Sequence, residues 1–378
     1  MMKVVINCLS ALRGGGQTYL INLLREFIKQ NPACKVILIS NTRNLHIWDE
    51  FVGESLTVYE ASLASNNIIF RVLWEIFILP FFLKKREINS YYSPGGIMVT
   101  KCPPGCKSYT ALRNMLPFDD RERKRFPLFS YIRFKLWILK HVFLFSYKMS
   151  DGVIFISNYS RDEVKRYIPS IEDKSTVIYH GINEDFMSCK NGNAAIPDNL
   201  QPFGYYLYVS ILDVYKAQVE VIKEWLSMTK NGNDFPLILV GPSYNEYGEQ
   251  VINIIKGSGS ELVNYIGPID YERLPSLYKN ARALIFASSC ECCPNILLEK
   301  LASGRPVISS NIMPMPEFGK DAVIYFDPYL KGSLSKAVDY LESEGKIEKY
   351  SKLSIERAKD FCWCLTTKNT FNYLLSDS

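Results

Sequence analysis

Residues 287–328 read ASSCECCPNILLEKLASGRPVISSNIMPMPEFGKDAVIYFDP, and what flanks their first helical stretch decides the fold. Immediately before them Ala283, Leu284, Ile285 and Phe286 form an apolar, partly β-branched run, the pattern of a buried strand, which gives way to the small polar residues Ser288 and Ser289. Pro294 suits the start of a helix, Ile296, Leu297, Leu298 and Leu301 give that helix an apolar side, and Gly304 is placed to close it. A second buried strand follows over 306–309, so the unit is strand, helix, strand, which is parallel α/β architecture.

Two carboxylates stand in this unit, Glu291 in the turn before the helix and Glu299 inside it. Glu299 lies five positions beyond Pro294, roughly 7 Å along a helix axis, so both acids can face one elongated ligand. Between them, at 294–297, is the helix amino terminus, whose backbone N–H groups and positive dipole end favour a phosphate. Acids that accept hydrogen bonds from sugar and ribose hydroxyls, with an anion seat between them, suit a nucleotide diphosphate sugar. Taken alone, the two glutamates are equally compatible with solvated acids on an ordinary helix.

The spacing E-x7-E, the run Leu301-Ala302-Ser303-Gly304-Arg305-Pro306-Val307-Ile308, then Pro316-Glu317 and Phe326-Asp327-Pro328, closely resembles retaining glycosyltransferases of family four. The resemblance implies the GT-B fold, two Rossmann-like doubly wound domains facing a cleft. It also implies that Glu291 positions the donor sugar, Glu299 holds the ribose, and Pro294, Asn295, Ile296 and Leu297 take the diphosphate.

A chain of 378 residues exceeds one typical core, so two domains are expected. The division expected is an acceptor-side domain over 1–190, a linker over 191–203 rich in Asn, Gly, Ala and Pro, a nucleotide-sugar domain over 204–353, and a terminal helix over 354–378 that returns to the first domain. Hydrophobic content of 47% is ordinary for a globular protein, and a formal net charge of +5 calls for no nucleic-acid partner. Met1-Met2-Lys3 runs straight into a short strand rather than a signal-like segment, and no stretch offers the run of uncharged apolar residues that a spanning helix needs. Ten cysteines accompany only three histidines, none at zinc-finger spacing, so a reducing cytoplasm and no metal or other cofactor are expected.

In the amino-terminal half, residues 3–9 read as a strand, and 12–16 as a loop before a helix carrying Tyr19, Leu20, Leu23, Leu24 and Phe27. Gly14, Gly15 and Gly16 remove side chains where a loop must approach a ligand closely. A dinucleotide fingerprint is not met, because Tyr19 stands where glycine or alanine is required. In the resembled family this loop lies over the donor phosphates, a role that falls here on Gly15 and Gly16.

Residues 68–83 are strongly apolar and aromatic and end in Lys84, Lys85 and Arg86. A similar combination recurs over 121–148, where Arg121, Arg123, Lys124 and Arg125 precede Phe126, Phe129, Tyr131, Phe134, Trp137, Phe143 and Phe145. Basic residues beside exposed aromatics suit a helix lying in the headgroup layer of an anionic membrane, which would place the protein peripherally on the inner face of the plasma membrane. The alternative is core helices whose lysines and arginines snorkel.

Between these stretches Leu112-Arg113-Asn114-Met115-Leu116-Pro117-Phe118 follows a strand over 108–111. The resembled family commonly has a histidine here; Arg113 takes its place and cannot act as a general base, since a guanidinium stays protonated. Arg113 is instead a candidate for binding donor phosphate or an anionic acceptor. Residues 151–157 and 175–179 read as strands, Ser157 as a helix cap, and His180-Gly181-Ile182-Asn183 resembles the end of the family's first domain, with Gly181 supplying backbone freedom and His180 in place of the usual Asn.

Beyond the linker, a strand over 205–210 leads to a loop with Lys216 and a helix over 218–228. The family usually has an arginine and a lysine in this loop to neutralise the leaving diphosphate; Ile211 occupies the arginine position, so Lys216 stands alone and Arg113 is the candidate second cation. Strands over 237–240 and 263–266 end in Gly-Pro pairs; in the resembled family the backbone just after the second of these glycines holds the nucleobase, a role for which Pro268 and Ile269 are the candidates here. The last long helix runs from about Ser354 to Leu375. Together these imply transfer of a sugar, with retention, from a nucleotide sugar to a saccharide or lipid-linked saccharide in bacterial surface polysaccharide or lipopolysaccharide assembly, with Lys216, Glu291 and Arg113 as catalytic candidates. The alternatives are a nucleotide-sugar epimerase or phosphorylase on the same architecture, or a non-catalytic sugar-nucleotide-binding subunit.

Overall fold

The computed structural model describes residues 1–12, 14–187, 197, 200–229, 232 and 234–376, and they form two α/β units. The first comprises residues 1–181 and 362–378, the second 182–361. The boundaries therefore lie at Gly181 and Phe361 rather than at 190 and 353, and most of the expected linker, 191–196 and 198–199, lies outside the described residues.

The first unit is built on a seven-stranded sheet in the order β3-β2-β1-β4-β5-β6-β7. Its strands are β1 (Met2–Asn7), β2 (Cys34–Ser40), β3 (Leu56–Glu60), β4 (Ser90–Ser93), β5 (Lys107–Leu112), β6 (Gly152–Phe155) and β7 (Ser175–Val177). All neighbours pair parallel. The second unit has six parallel strands in the order β10-β9-β8-β11-β12-β13. These are β8 (Tyr206–Val209), β9 (Leu237–Val240), β10 (Val263–Tyr265), β11 (Ala283–Phe286), β12 (Val307–Ser310) and β13 (Val323–Phe326). Central strands such as β9 and β11 are buried along their whole length, as a parallel sheet covered on both faces requires.

One strand carries no apolar run that would announce it, and a second, β13, has the run Val323-Ile324-Tyr325-Phe326 inside a longer motif. β4, with the sequence SYYS, is nevertheless central, because each tyrosine sends its ring to a different face: Tyr91 packs with Trp74 and Leu79, Tyr92 with Tyr19 and Leu20. β13 is the edge strand beside β12, within what the sequence offers only as a motif before Asp327-Pro328.

Helix ends follow local chemistry. The helix Gly15–Gln30 stops at Asn31, which adopts the left-handed conformation and donates its N–H to the Phe27 carbonyl. Ser157 caps the helix Asn158–Lys165 by accepting from the Ser160 N–H. The expected long terminal helix is two helices, Lys346–Ala358 in the second unit and Trp363–Leu375 in the first. The break falls where Phe361 turns inward onto Phe318, with ring centres 5.8 Å apart, and Cys362 caps the next helix. That last helix packs on Gly15–Gln30 through Phe27 and Phe371, whose rings lie 4.6 Å apart. Gly181 is not in the left-handed region; a side chain there would sit 2.1 Å from the Trp363 backbone nitrogen, so space rather than backbone freedom demands glycine.

Candidate functional site

In the second unit the chain runs outward from β8 through β9 to β10 and then returns to the other side of β8 with β11. The loops leaving the carboxyl ends of β8 and β11 thus diverge, which opens the crevice where doubly wound sheets receive ligands. Lys216 comes from the first of these loops and Glu291 from the second.

Lys216 closes a short turn, Val214–Lys216, whose first N–H is bound by the Asp213 carboxylate at 2.7 Å. Tyr208 on β8 donates its hydroxyl to the Lys216 carbonyl, and the Ala287 N–H donates to the same tyrosine oxygen at 3.3 Å. Ser289 ties the second loop to the first through its N–H, 2.7 Å from the Tyr215 carbonyl. Held this way, the Lys216 ammonium is buried, forms an ion pair with Glu291, and lies 5.3 Å from the centre of the Phe286 ring. Ser288 donates a second hydrogen bond to Glu291 Oε1, at 2.7 Å. The two residues expected to serve one ligand are therefore brought into direct contact. Ile211, at the expected arginine position, offers only its carbonyl, which accepts from Gln218 at 2.7 Å.

Directly after Glu291 comes the helix Asn295–Ala302. Pro294 stands at its cap position rather than its first turn, no side chain caps it, and its first turn holds no acid to oppose an anion at the positive end of the dipole, while the Asn295 N–H donates to the Cys293 carbonyl at 2.9 Å and the Leu297 N–H to the Pro294 carbonyl at 2.8 Å. Glu299, further along, accepts a hydrogen bond from the Tyr271 hydroxyl at 2.9 Å. Burial pushes its carboxyl up to about 7, against the opposing pull of that hydrogen bond and of the Lys300 charge. Pro268 is exposed and Ile269 half-buried, in the loop after β10, where the Gly241 N–H binds the Gly267 carbonyl at 3.0 Å. Tyr271 lies three residues further on and links that loop to Glu299.

Lys300 is the site feature that sequence reasoning missed. It is fully buried between aromatic rings, its ammonium 4.9 Å from the centre of Tyr278 and 5.9 Å from that of Phe286, with the Val209 carbonyl at 3.4 Å. Burial lowers its pKa to about 7; Glu299 opposes this and Lys216 adds to it. Lys216 and Lys300 thus approach the same Phe286 ring. A signal existed: Lys300 falls three residues after Leu297, on the apolar side of the helix, where a lysine is out of place.

In the first unit Gly15 and Gly16 form the first turn of their helix rather than a preceding loop. A Cβ on either would meet nothing within 4 Å, so packing does not require glycine there. Arg113, at the end of β5, stacks over Tyr19, 3.1 Å from the ring centre, donates to the Tyr92 hydroxyl at 3.2 Å and lies 3.5 Å from His180 Nε2. His180 is buried against Tyr19 and Trp363. Among the described residues no carboxylate pairs with Arg113. Among the described residues no two cysteines form a disulfide, and no group of three or more His, Cys, Asp and Glu is arranged to hold a metal ion.

Comparison with known proteins agrees with the fold of two parallel-sheet units. The model for glycosyltransferase family 4 matches residues 13–186, and that for glycosyl transferases group 1 matches residues 199–360. The O-antigen chain mannosyltransferase B of Escherichia coli is 25% identical over 229 residues, 58% of this chain and 59% of the relative, so the match spans somewhat more than half of that relative's length. Among solved structures, a glycosyltransferase from Rickettsia africae superposes with a TM-score of 0.73 at 16% identity, covering 100% of this chain and 99% of the other. HepE from Anabaena, solved in complex with UDP and glucose, gives 0.69 at 14% identity, with 99% of each chain covered.

Proposed function

The chain belongs to the glycosyltransferases of GT-B fold, and from that premise we propose that it transfers a sugar from a nucleotide diphosphate donor to a hydroxyl of a saccharide or lipid-linked saccharide, with retention at the anomeric carbon. The observation that carries the proposal is the Lys216–Glu291 pair, set at the switch point of the second sheet directly before an uncapped helix amino terminus. In the reaction the bond from the anomeric carbon to the diphosphate oxygen breaks, its electron pair leaves with the diphosphate, and the acceptor oxygen forms the new bond and passes its proton to the departing diphosphate oxygen. Lys216 and the positive dipole end of the helix Asn295–Ala302 lower the cost of the charge that develops on the leaving group. Glu291, held by Lys216 and Ser288, faces the donor sugar, Glu299 faces the ribose, and the backbone at Pro268 and Ile269 faces the base.

In the first unit Arg113 offers a cation and the first turn at Gly15 and Gly16 offers backbone N–H groups to anionic groups of donor or acceptor. Similarity to an O-antigen mannosyltransferase favours a place in bacterial surface polysaccharide assembly and a cytoplasmic pool of activated sugar as the donor. No metal ion enters the proposed chemistry. The test is a panel of nucleotide sugars screened by thermal stabilisation, followed by product analysis with a saccharide acceptor. One nucleotide sugar should raise the melting temperature and yield a glycoside with the donor's anomeric configuration. An inverted product, or isomerised donor formed without acceptor, overturns the proposal.

A further inference from the structure

We infer that the first unit carries a lipid-binding face, formed jointly by residues 68–86 and the helix Tyr131–Met149, that lies on an anionic membrane surface. Sheet parity places both segments on one side. Val5 and Tyr91 pack with Trp74, Leu79, Leu83 and Met98, whereas Val4, Ile6, Tyr92 and Ile154 pack with Leu20, Phe27 and Phe371 on the other side. The helix Tyr131–Met149 joins the first group: its Tyr147 meets Phe155, which follows Ile154 and so faces the opposite way, and its Ser146 accepts from the Met98 N–H at 3.0 Å.

Each segment is anchored by few residues and presents apolar side chains outward as well. Phe77 is 61% exposed and Phe81 75%; Phe134 is 59%, Trp137 52%, and Phe129, at the tip just before the Ser130 cap, 96%. So extended an exposed apolar face marks a contact surface. Among the described residues no helix is long and apolar enough to cross a membrane, so a surface position is the one these helices can take.

Charge selects the occupant. Between 123 and 150 the chain has seven basic residues and no acidic one. The flanking Glu122 is buried and paired with Arg125 at 2.8 Å, and Glu75, the acid inside 68–86, is buried and paired with Arg71 at 2.8 Å. What remains outward is Lys84, Lys85, Arg86, Lys124, Lys135 and Lys148 around the aromatics. Anionic headgroups complement that pattern, while a second copy of the same face would set like charges against each other.

The inference stands apart from the chemistry of the site, since vesicle binding and sugar transfer are measured separately. The full chain should sediment with vesicles of phosphatidylcholine and phosphatidylglycerol and stay in solution with phosphatidylcholine alone. Joint substitution Phe129→Ser, Phe134→Ser and Trp137→Ser should weaken binding at least about tenfold. Replacing Lys84, Lys85, Lys124 and Lys135 by Ser should weaken it by up to roughly fivefold per residue. Both variants should melt like the parent, because these side chains face solvent. Should the triple variant misfold, Trp137→Phe gives a second reading: the blue shift of tryptophan fluorescence on adding anionic vesicles should shrink. Equal failure of the parent to bind either vesicle overturns the inference, as does a dimer that the triple substitution dissociates.

Discussion

The Tyr271 hydroxyl and Glu299 Oε1 are 2.9 Å apart, and this hydrogen bond joins the loop that follows β10 to the helix that follows β11. It is charge-assisted when Glu299 is ionised, and with the carboxyl at about 7 the switch falls in an accessible range. An ionised Glu299 accepts two ribose hydroxyls better than a neutral one, so donor affinity should rise as pH passes upward from 6 to 8. Glu299→Gln should flatten that profile and weaken donor binding by about 1.5–3 kcal/mol, the usual worth of a hydrogen bond to a charged group. Tyr271→Phe should move the profile to higher pH, because the bond that lowers the carboxyl's pKa is gone. Titration calorimetry at several pH values checks all three.

Lys300 and Glu299 should also shape stability. Between pH 4.5 and about 7 the folded chain holds a proton on Glu299 that the unfolded chain has lost, so this contribution falls as pH rises. Between about 7 and 10.5 the unfolded chain holds a proton on Lys300 that the folded chain has lost, so stability recovers. Lys300→Met should remove that recovery. At pH 6 it should stabilise the protein by an amount on the order of a few kcal/mol, because a buried ammonium with a single carbonyl at 3.4 Å gives way to an apolar chain of similar length. Melting temperature measured against pH for parent and variant decides it.

Lys216 should be indispensable to turnover and replaceable for folding. Lys216→Met removes the cation beside the leaving group and should lower kcat by about 100- to 1000-fold, with a much smaller change in KM. It also leaves Glu291 with only the Ser288 hydrogen bond among those described, which costs stability. The double variant Lys216→Met, Glu291→Gln should recover that stability without recovering activity, which separates the two roles. Lys216→Arg should not restore turnover, since the pocket beside Phe286 and Tyr215 closes on a slender ammonium and a planar guanidinium is wider. Steady-state kinetics and thermal melts of the three variants provide the check.

How much of this was legible depends on the kind of interaction each residue makes. The strands at 237–240 and 283–286 announce themselves because both faces are buried, and an uninterrupted apolar run is the mark that leaves. β4 stays hidden because its burial is achieved by Ser and Tyr, whose hydroxyls find partners inside: Tyr91 accepts from Asn7 at 2.8 Å. The two terminal helices read as one because Phe361 continues the apolar pattern while its backbone turns. Among the candidate site residues, Glu291, Glu299 and Lys216 stand out in the sequence through spacing and resemblance. Tyr271 and Tyr208 do not, since Tyr271 reaches Glu299, and Tyr208 receives the Ala287 N–H, across long stretches of sequence, and no local pattern encodes such a contact. Their tie to the site appears only once the sheet order brings the loops together.

Gly15 and Gly16 offer the sharpest separation of folding from binding. Both lie in the first turn of a helix, where glycine loses more backbone entropy on folding than alanine, a difference that reaches about 0.5–1 kcal/mol in a helix interior. Neither sits among the positive-φ residues, and a Cβ on either would meet only open space, so nothing in the folded unit rewards their presence. Gly14 differs, with a φ of 71° that disfavours a side chain. If Gly15 and Gly16 keep this turn open for a phosphate, Gly16→Ala and Gly15→Ala should each raise the melting temperature while weakening donor binding or raising KM by about tenfold. Gly14→Ala should lower the melting temperature instead. Unchanged kinetics in the first two variants, with the same gain in stability, would remove this turn from the site.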